Sequence, residues 1–123
     1  MAERVLAQKL QLTEQIFVYK LFQSRATLAL RKKDYVTCER LASQAADLLT
    51  LKVSQRHGDI ALARLRQGVA LCHLEDFLRG RQVLGEAQQE FELAGAFGEH
   101  RSQLEMYLAI ASGKLDITRS PEM

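Results

Sequence analysis

The sequence predicts an all-α fold: an antiparallel helix-pair solenoid of about five helices, two hairpins plus a terminal helix. Three observations carry that expectation. Nothing before Gly58 is glycine, and the one proline is Pro121, so strong helix formers run unbroken through the first half of the chain. A pattern then recurs 42 residues apart: Ala26 and Gly68, the acid–aromatic pairs Asp34-Tyr35 and Asp76-Phe77, then Cys38 and Gly80, then Ala45 and Ala87. Finally, those small residues fall where paired helices would cross, and axes approach to roughly 8–10 Å only over small side chains.

Each element follows in order. A first helix is expected over 3–32, about 45 Å long. Its residues Leu6, Leu10, Phe17, Leu21 and Leu28 keep helical spacing and are expected to be packed. Asp34 suits the N-cap of a second helix over 35–55, because its carboxylate can accept from the free amides of the first turn. Gly58 suits a left-handed C-cap, and Asp59 would cap a third helix reaching Leu74. Asp76 would cap a fourth, Phe77 to Ala94, closed by Gly95, and a fifth would run from Glu99 to Leu115. Residues 1–117 thus read as one helical domain and 118–123 as a flexible tail.

Composition agrees with one globular domain, since 47% apolar and 26% charged residues are ordinary proportions. No apolar run approaches the roughly 20 residues needed to cross a bilayer. The start, Met1-Ala2-Glu3-Arg4, lacks the apolar core of a secretion signal. The expectation is a cytoplasmic protein with no membrane insertion. Cys38 and Cys72 then read as reduced packing residues rather than a disulfide. His57, His73 and His100 are too scattered for a metal site, and no cofactor motif occurs. No phosphate loop or nucleophile motif is present, and His73 beside Cys72 points about 100° away from it on a helix, so no catalytic residue is assigned. The net charge of +2 is spread along the chain without interleaved aromatics, which argues against a nucleic-acid platform.

The repeated pattern resembles the tetratricopeptide repeat (TPR). Phe22, Ala26, Ala29, Tyr35, Cys38, Ala42 and Ala45 match one unit, and Gly68, Leu71, Phe77, Gly80, Leu84 and Ala87 match a second. His57-Gly58-Asp59 and its echo Phe97-Gly98-Glu99 are similar to junctions of the longer, roughly forty-residue variety found in G-protein signalling modulators and related adaptors. Arg25 and Gln67 stand where Leu is usual, Lys33 and Glu75 where Gly is common, and no proline closes either unit. The resemblance implies that the first helix of each pair lines a concave groove. Carried across by position, the strips are Lys20, Gln23, Thr27, Leu30 and Arg31; then Leu62, Leu65, Val69, Cys72 and His73; then Ser102, Glu105, Ala109, Ser112 and Gly113. Relatives that clamp a partner's terminal carboxylate use Asn together with Lys or Arg, and this chain has no asparagine.

The function expected from this reading is non-enzymatic: an adaptor, scaffold or assembly subunit that binds a partner helix or peptide in an apolar groove. Two alternatives stand beside it. One is a dedicated chaperone that sequesters an aggregation-prone helix, as small secretion chaperones of similar architecture do. The other is a homodimeric structural bundle. Leu62, Leu65 and Val69 equally fit a core beneath the long first helix, or a dimer interface. Leu104, Met106, Tyr107, Leu108 and Ile110 spread over more than one face of the fifth helix, whereas a terminal solenoid helix needs a polar outer side. Met106, Tyr107 and Ile110 therefore form a possible second interface, covered by a partner or second copy, by the folded-back tail, or by the rest of a longer array.

Overall fold

Two almost identical turns, 42 residues apart in sequence, set the architecture. Helix α1 (Ala2–Arg31) ends with Lys33 in the left-handed region at φ 61°, Lys33 N–H bonded to Leu30 C=O at 3.0 Å and Asp34 N–H to Ala29 C=O at 2.8 Å. Helix α3 (His57–His73) ends the same way, with Glu75 at φ 64° and bonds from Glu75 to Cys72 and from Asp76 to Leu71. Both are Schellman closures, in which the left-handed residue lets the last carbonyls of the helix be satisfied. Asp34 and Asp76 then turn at once into N-caps, accepting from Thr37 N–H at 3.2 Å and Arg79 N–H at 3.4 Å. The chain therefore returns antiparallel as α2 (Tyr35–Lys52) and α4 (Phe77–Ala94).

The computed structural model describes residues 2–95 and 98–119, with side chains over 14–95 and 98–115. Among them are five α-helices and a single-turn 3₁₀ segment (Gly98–His100), with no strand. The fifth, α5 (Arg101–Arg119), packs against α3 and α4, so the order is hairpin, hairpin, lone helix. None of these helices is long and apolar enough to cross a membrane.

Several sequence expectations need correction. Gly58 is no left-handed C-cap: α2 stops at Lys52, where Val53 N–H bonds Leu49 C=O, and Arg56 N–H bonds Val53 C=O across a tight turn that needs no positive φ. Gly58 lies inside the first turn of α3, and Asp59 does not cap it but pairs with Arg56 at 2.7 Å. Gly95 does close α4, at φ 72°. Helix α5 continues past Leu115 through Thr118 and Arg119, so the tail does not begin at 118. Ser120–Met123, Phe97, and the side chains of Leu6 and Leu10 lie outside the described residues. The expected packing of Phe17, Leu21 and Leu28 fails, for all three are exposed. The buried stripe of α1 is instead Tyr19, Ala26 and Ala29, flanked by half-buried Phe22, because close helix approach selects the small residues.

The small residues sit at the crossings as expected. Ala26, Cys38, Ala42 and Ala45 are fully buried in the first hairpin. In the second, a Cβ built on Gly68 would lie 2.5 Å from Leu84 Cγ, and one on Gly80 would lie 3.1 Å from Cys72 Sγ. The main core joins Leu65, Val69 and Cys72 of α3 to Leu84, Ala87 and Phe91 of α4 and Leu104 and Ala111 of α5. Each fully buried Leu there contributes about 1.5–3 kcal/mol. One polar side chain interrupts it. Gln67, 2% exposed, accepts from Arg64 Nη1 at 2.8 Å and donates to Glu39 Oε1 at 3.2 Å, and Arg79 Nη2 donates to the same oxygen at 3.1 Å. That network ties α2, α3 and α4 together, with every buried side-chain polar atom satisfied among the described residues.

Candidate functional site

Helices α1 and α3 touch, and a shallow valley lies between them. On α1 the residues Lys20, Gln23 and Thr27 share a face at spacings of three and four. On α3 Asp59, Leu62 and Arg66 do the same. Together with Tyr19 and Ser24 they line a cleft of about 320 Å³.

The cleft floor is held rigidly. The Arg56 guanidinium sits over the Tyr19 ring, 5.7 Å from its centroid, and also binds the Asp59 carboxylate. Burial, and then the Asp59 carboxylate, push the Tyr19 hydroxyl above the ordinary tyrosine range. Arg56 therefore occupies Asp59. Arg66 is the different case. Its Nη1 donates to the neutral Gln23 Oε1 at 3.0 Å, and among the described residues no carboxylate lies within ion-pair distance. Burial pulls its guanidinium below the ordinary arginine value, with Cys38 and Tyr19 opposing the shift. Exposed Lys20 adds a second cation at the rim, and half-buried Leu62 an apolar wall. Chemically, this cleft offers charge-assisted donors beside an apolar contact, which suits a carboxylate or backbone carbonyl next to an apolar side chain.

At the other end of α3, His73 stacks on Tyr35 with ring centroids 4.2 Å apart and planes 5° off parallel. Its Nε2 lies 3.0 Å from the Tyr107 hydroxyl of α5. Burial raises the Tyr107 hydroxyl, with Cys72 and Tyr35 adding to the effect. His73 and Tyr107, expected in separate interfaces, thus meet in one aromatic cluster that links α5 through α3 to the start of α2.

The remaining site residues divide. Leu65, Val69 and Cys72 are buried beneath α4 and α5, not beneath an overhanging α1, and among the described residues of α1 only Leu30 packs against that cluster. The continuous apolar strip that the resemblance implied is thereby reduced to Leu62. Arg31, Glu105, Met106 and Ile110 are exposed and lie outside the cleft. Burial pushes the Cys38 thiol up to about 11, and it also raises Cys72, so both remain protonated packing groups near neutral pH. Among the described residues no group of three or more His, Cys, Asp or Glu side chains is placed to hold a metal ion. Sequence reasoning missed Arg66, Asp59 and Tyr19. Arg66 was findable, since 59, 62, 66, 69 and 73 form one helical face. No protein-family model, curated protein or solved structure matches the chain.

Proposed function

We propose that this chain is a non-enzymatic protein-interaction module of TPR type that receives a partner helix or extended peptide across the α1–α3 cleft. Lys20, Gln23, Thr27, Leu62 and Arg66 make the contact in this reading. The observation that supports it most is Arg66, a partly buried cation bonded to the neutral Gln23 amide with no carboxylate in ion-pair contact, beside Leu62. Such a group is stabilised when an acidic partner group arrives. The cytoplasm suits the two free buried thiols. A client-sequestering chaperone requires a long apolar trough, and burial of Leu65 and Val69 leaves too little of one, so the adaptor role is preferred.

The test is affinity capture from a native lysate with Arg66→Gln and Leu62→Ser compared with wild type, after circular dichroism confirms folding. The proposal expects a partner held by wild type and lost by both folded variants. Equal recovery from both would remove the cleft from consideration. Exposed Met106 and Ile110 on the outer side of α5 support a second reading, a homodimer closed over that helix. Light scattering across a dilution series decides it, and a monomer at every concentration excludes it.

A further inference from the structure

The exposed apolar stripe on the other side of α1 has a counterpart inside the protein. Shifting Val18, Leu21, Arg25 and Leu28 by the 42-residue repeat gives Ile60, Ala63, Gln67 and Ala70 on α3. Those four are 3%, 0%, 2% and 0% exposed, and helix α2 covers them. Leu49 packs on Ile60, Ala45 and Ala46 on Ala63, and Cys38 and Ala42 join the cluster of Ala70. Glu39 of α2 supplies the acid that bonds Gln67 and pairs with Arg79. On α1 the same register is open: Val18, Leu21 and Leu28 are 38%, 39% and 50% exposed. The hollow between α1 and α2, about 310 Å³, is floored by Ala29 and Leu41 and bordered by Arg25, Leu28, Lys32 and Arg40, with the capping pair Asp34 and Thr37 at its end.

The geometry points to an amphipathic, acid-bearing helix of a partner protein docking along α1 as α2 docks along α3. Charge complementarity specifies the occupant. Among the described residues no carboxylate lies within 4 Å of the Arg25, Lys32 or Arg40 cations; the one carboxylate lining the hollow, Asp34, is committed to the Thr37 N–H and feels Arg40 only at longer range, which leaves three cations against one acid. The acid of the occupant, at the place Glu39 takes on α3, falls beside Arg25, with Arg40 one turn along α2 from the register position of Arg79. Leu21 and Leu28 replace Ala63 and Ala70, so the incoming helix must carry small residues at the crossing or ride further out, toward about 10 Å. A second copy of this chain docked through α4 is the wrong occupant. The helix that repeats α2 is α4, and it carries Arg81 where Glu39 stands, which would oppose Arg25. A recessed hollow also suits the ridge of a helix better than a flat bilayer surface.

The probe is a side-chain-stapled helical peptide with the sequence of residues 34–52, carrying Cys38→Ala and a fluorophore, titrated against the full chain. Expected is saturable binding, with amide shifts on Val18–Leu28 and near Arg40. Leu28→Glu in the protein, at a position 50% exposed and with folding checked first by circular dichroism, should weaken binding at least tenfold. Glu39→Lys in the peptide should do the same, and Arg25→Glu in the protein should restore much of the loss. Four results would overturn the inference: no saturable binding at millimolar peptide, shifts confined to α3 and α4, self-association abolished by Leu28→Glu, or binding to vesicles containing 30% phosphatidylserine abolished by Leu28→Glu.

Discussion

Replacing Gly68 by alanine tests the close crossing of α3 and α4 with one methyl group. Alanine in a helix interior gains about 1 kcal/mol over glycine wherever the new methyl meets nothing. At Gly68 it meets Leu84, with Cγ and Cδ2 both 2.5 Å from the new Cβ and the Leu84 backbone nitrogen at 3.4 Å. A comfortable carbon contact is about 3.5–4.0 Å, so the overlap is roughly 1 Å. Leu84 is fully buried and cannot swing into solvent. The overlap then costs about 1–3 kcal/mol, as overpacking does. Gly85, one residue beyond Leu84 in α4, has nothing within 4 Å of its would-be Cβ and serves as the control. Gly85→Ala should be more stable than wild type by about 1 kcal/mol. Gly68→Ala should fall below Gly85→Ala by the overpacking cost alone, which in urea denaturation followed at 222 nm separates the midpoints by about 1 M for a slope near 2 kcal/mol/M. Coincident midpoints for the two variants would refute the crossing.

Lys33→Gly and Glu75→Gly should each raise stability by about 1 kcal/mol, by removing the left-handed penalty of a side chain. Tyr35 and His73 stack across the two turns, so the double variant should exceed either single variant in thermal melts, and its departure from the sum measures their coupling. Cys38 and Cys72 should resist a thiol reagent at pH 8 in the native protein and react fully in denaturant. Because the Cys38 thiol stays protonated up to about 11 when folded, against 9.0 unfolded, stability should fall as pH rises through that interval, and Cys38→Ala should flatten the slope. The Asp34 carboxyl is held below its ordinary value chiefly by the hydrogen bond from Thr37. Its contribution should be complete above pH 3.8 and lost as pH falls through the lower folded value, a dependence that Asp34→Asn should weaken.

The sequence carries the repeat, and so the hairpins, because the constraint is local: Asp34 and Asp76 must cap, and Ala26, Cys38, Gly68 and Gly80 must be small where helices touch. The sense of burial was less legible. Helix α1 has apolar residues on two sides, and periodicity cannot say which side a neighbour covers; size decides it, with Ala26 and Ala29 inside and Phe17, Leu21 and Leu28 outside. Gly58 misled because a glycine tolerates the first turn of a helix as well as a left-handed cap, and only the bond from Arg56 to Val53 shows that the turn was already made. At the site, Lys20, Gln23, Thr27 and Leu62 were legible from register, and they line one cleft. That Leu65, Val69 and Cys72 lie beneath α5 was not, since it depends on how far the lone helix folds back over α3. The position of Arg66 could be read from register, but its lack of an ion-paired carboxylate could not, because a cation reads as solvated until its neighbours are seen in three dimensions.

The most direct measurement places a photoreactive diazirine lysine analogue at Lys20, on the rim of the cleft, and in a second protein at Gln88, exposed on α4 away from it. After irradiation in native lysate, cross-linked partners are identified by mass spectrometry. Binding across the α1–α3 cleft requires a defined adduct from position 20 that position 88 does not give and that Arg66→Gln abolishes. Adducts of equal yield and identity from both positions, or an adduct at position 20 unaffected by Arg66→Gln, would contradict it.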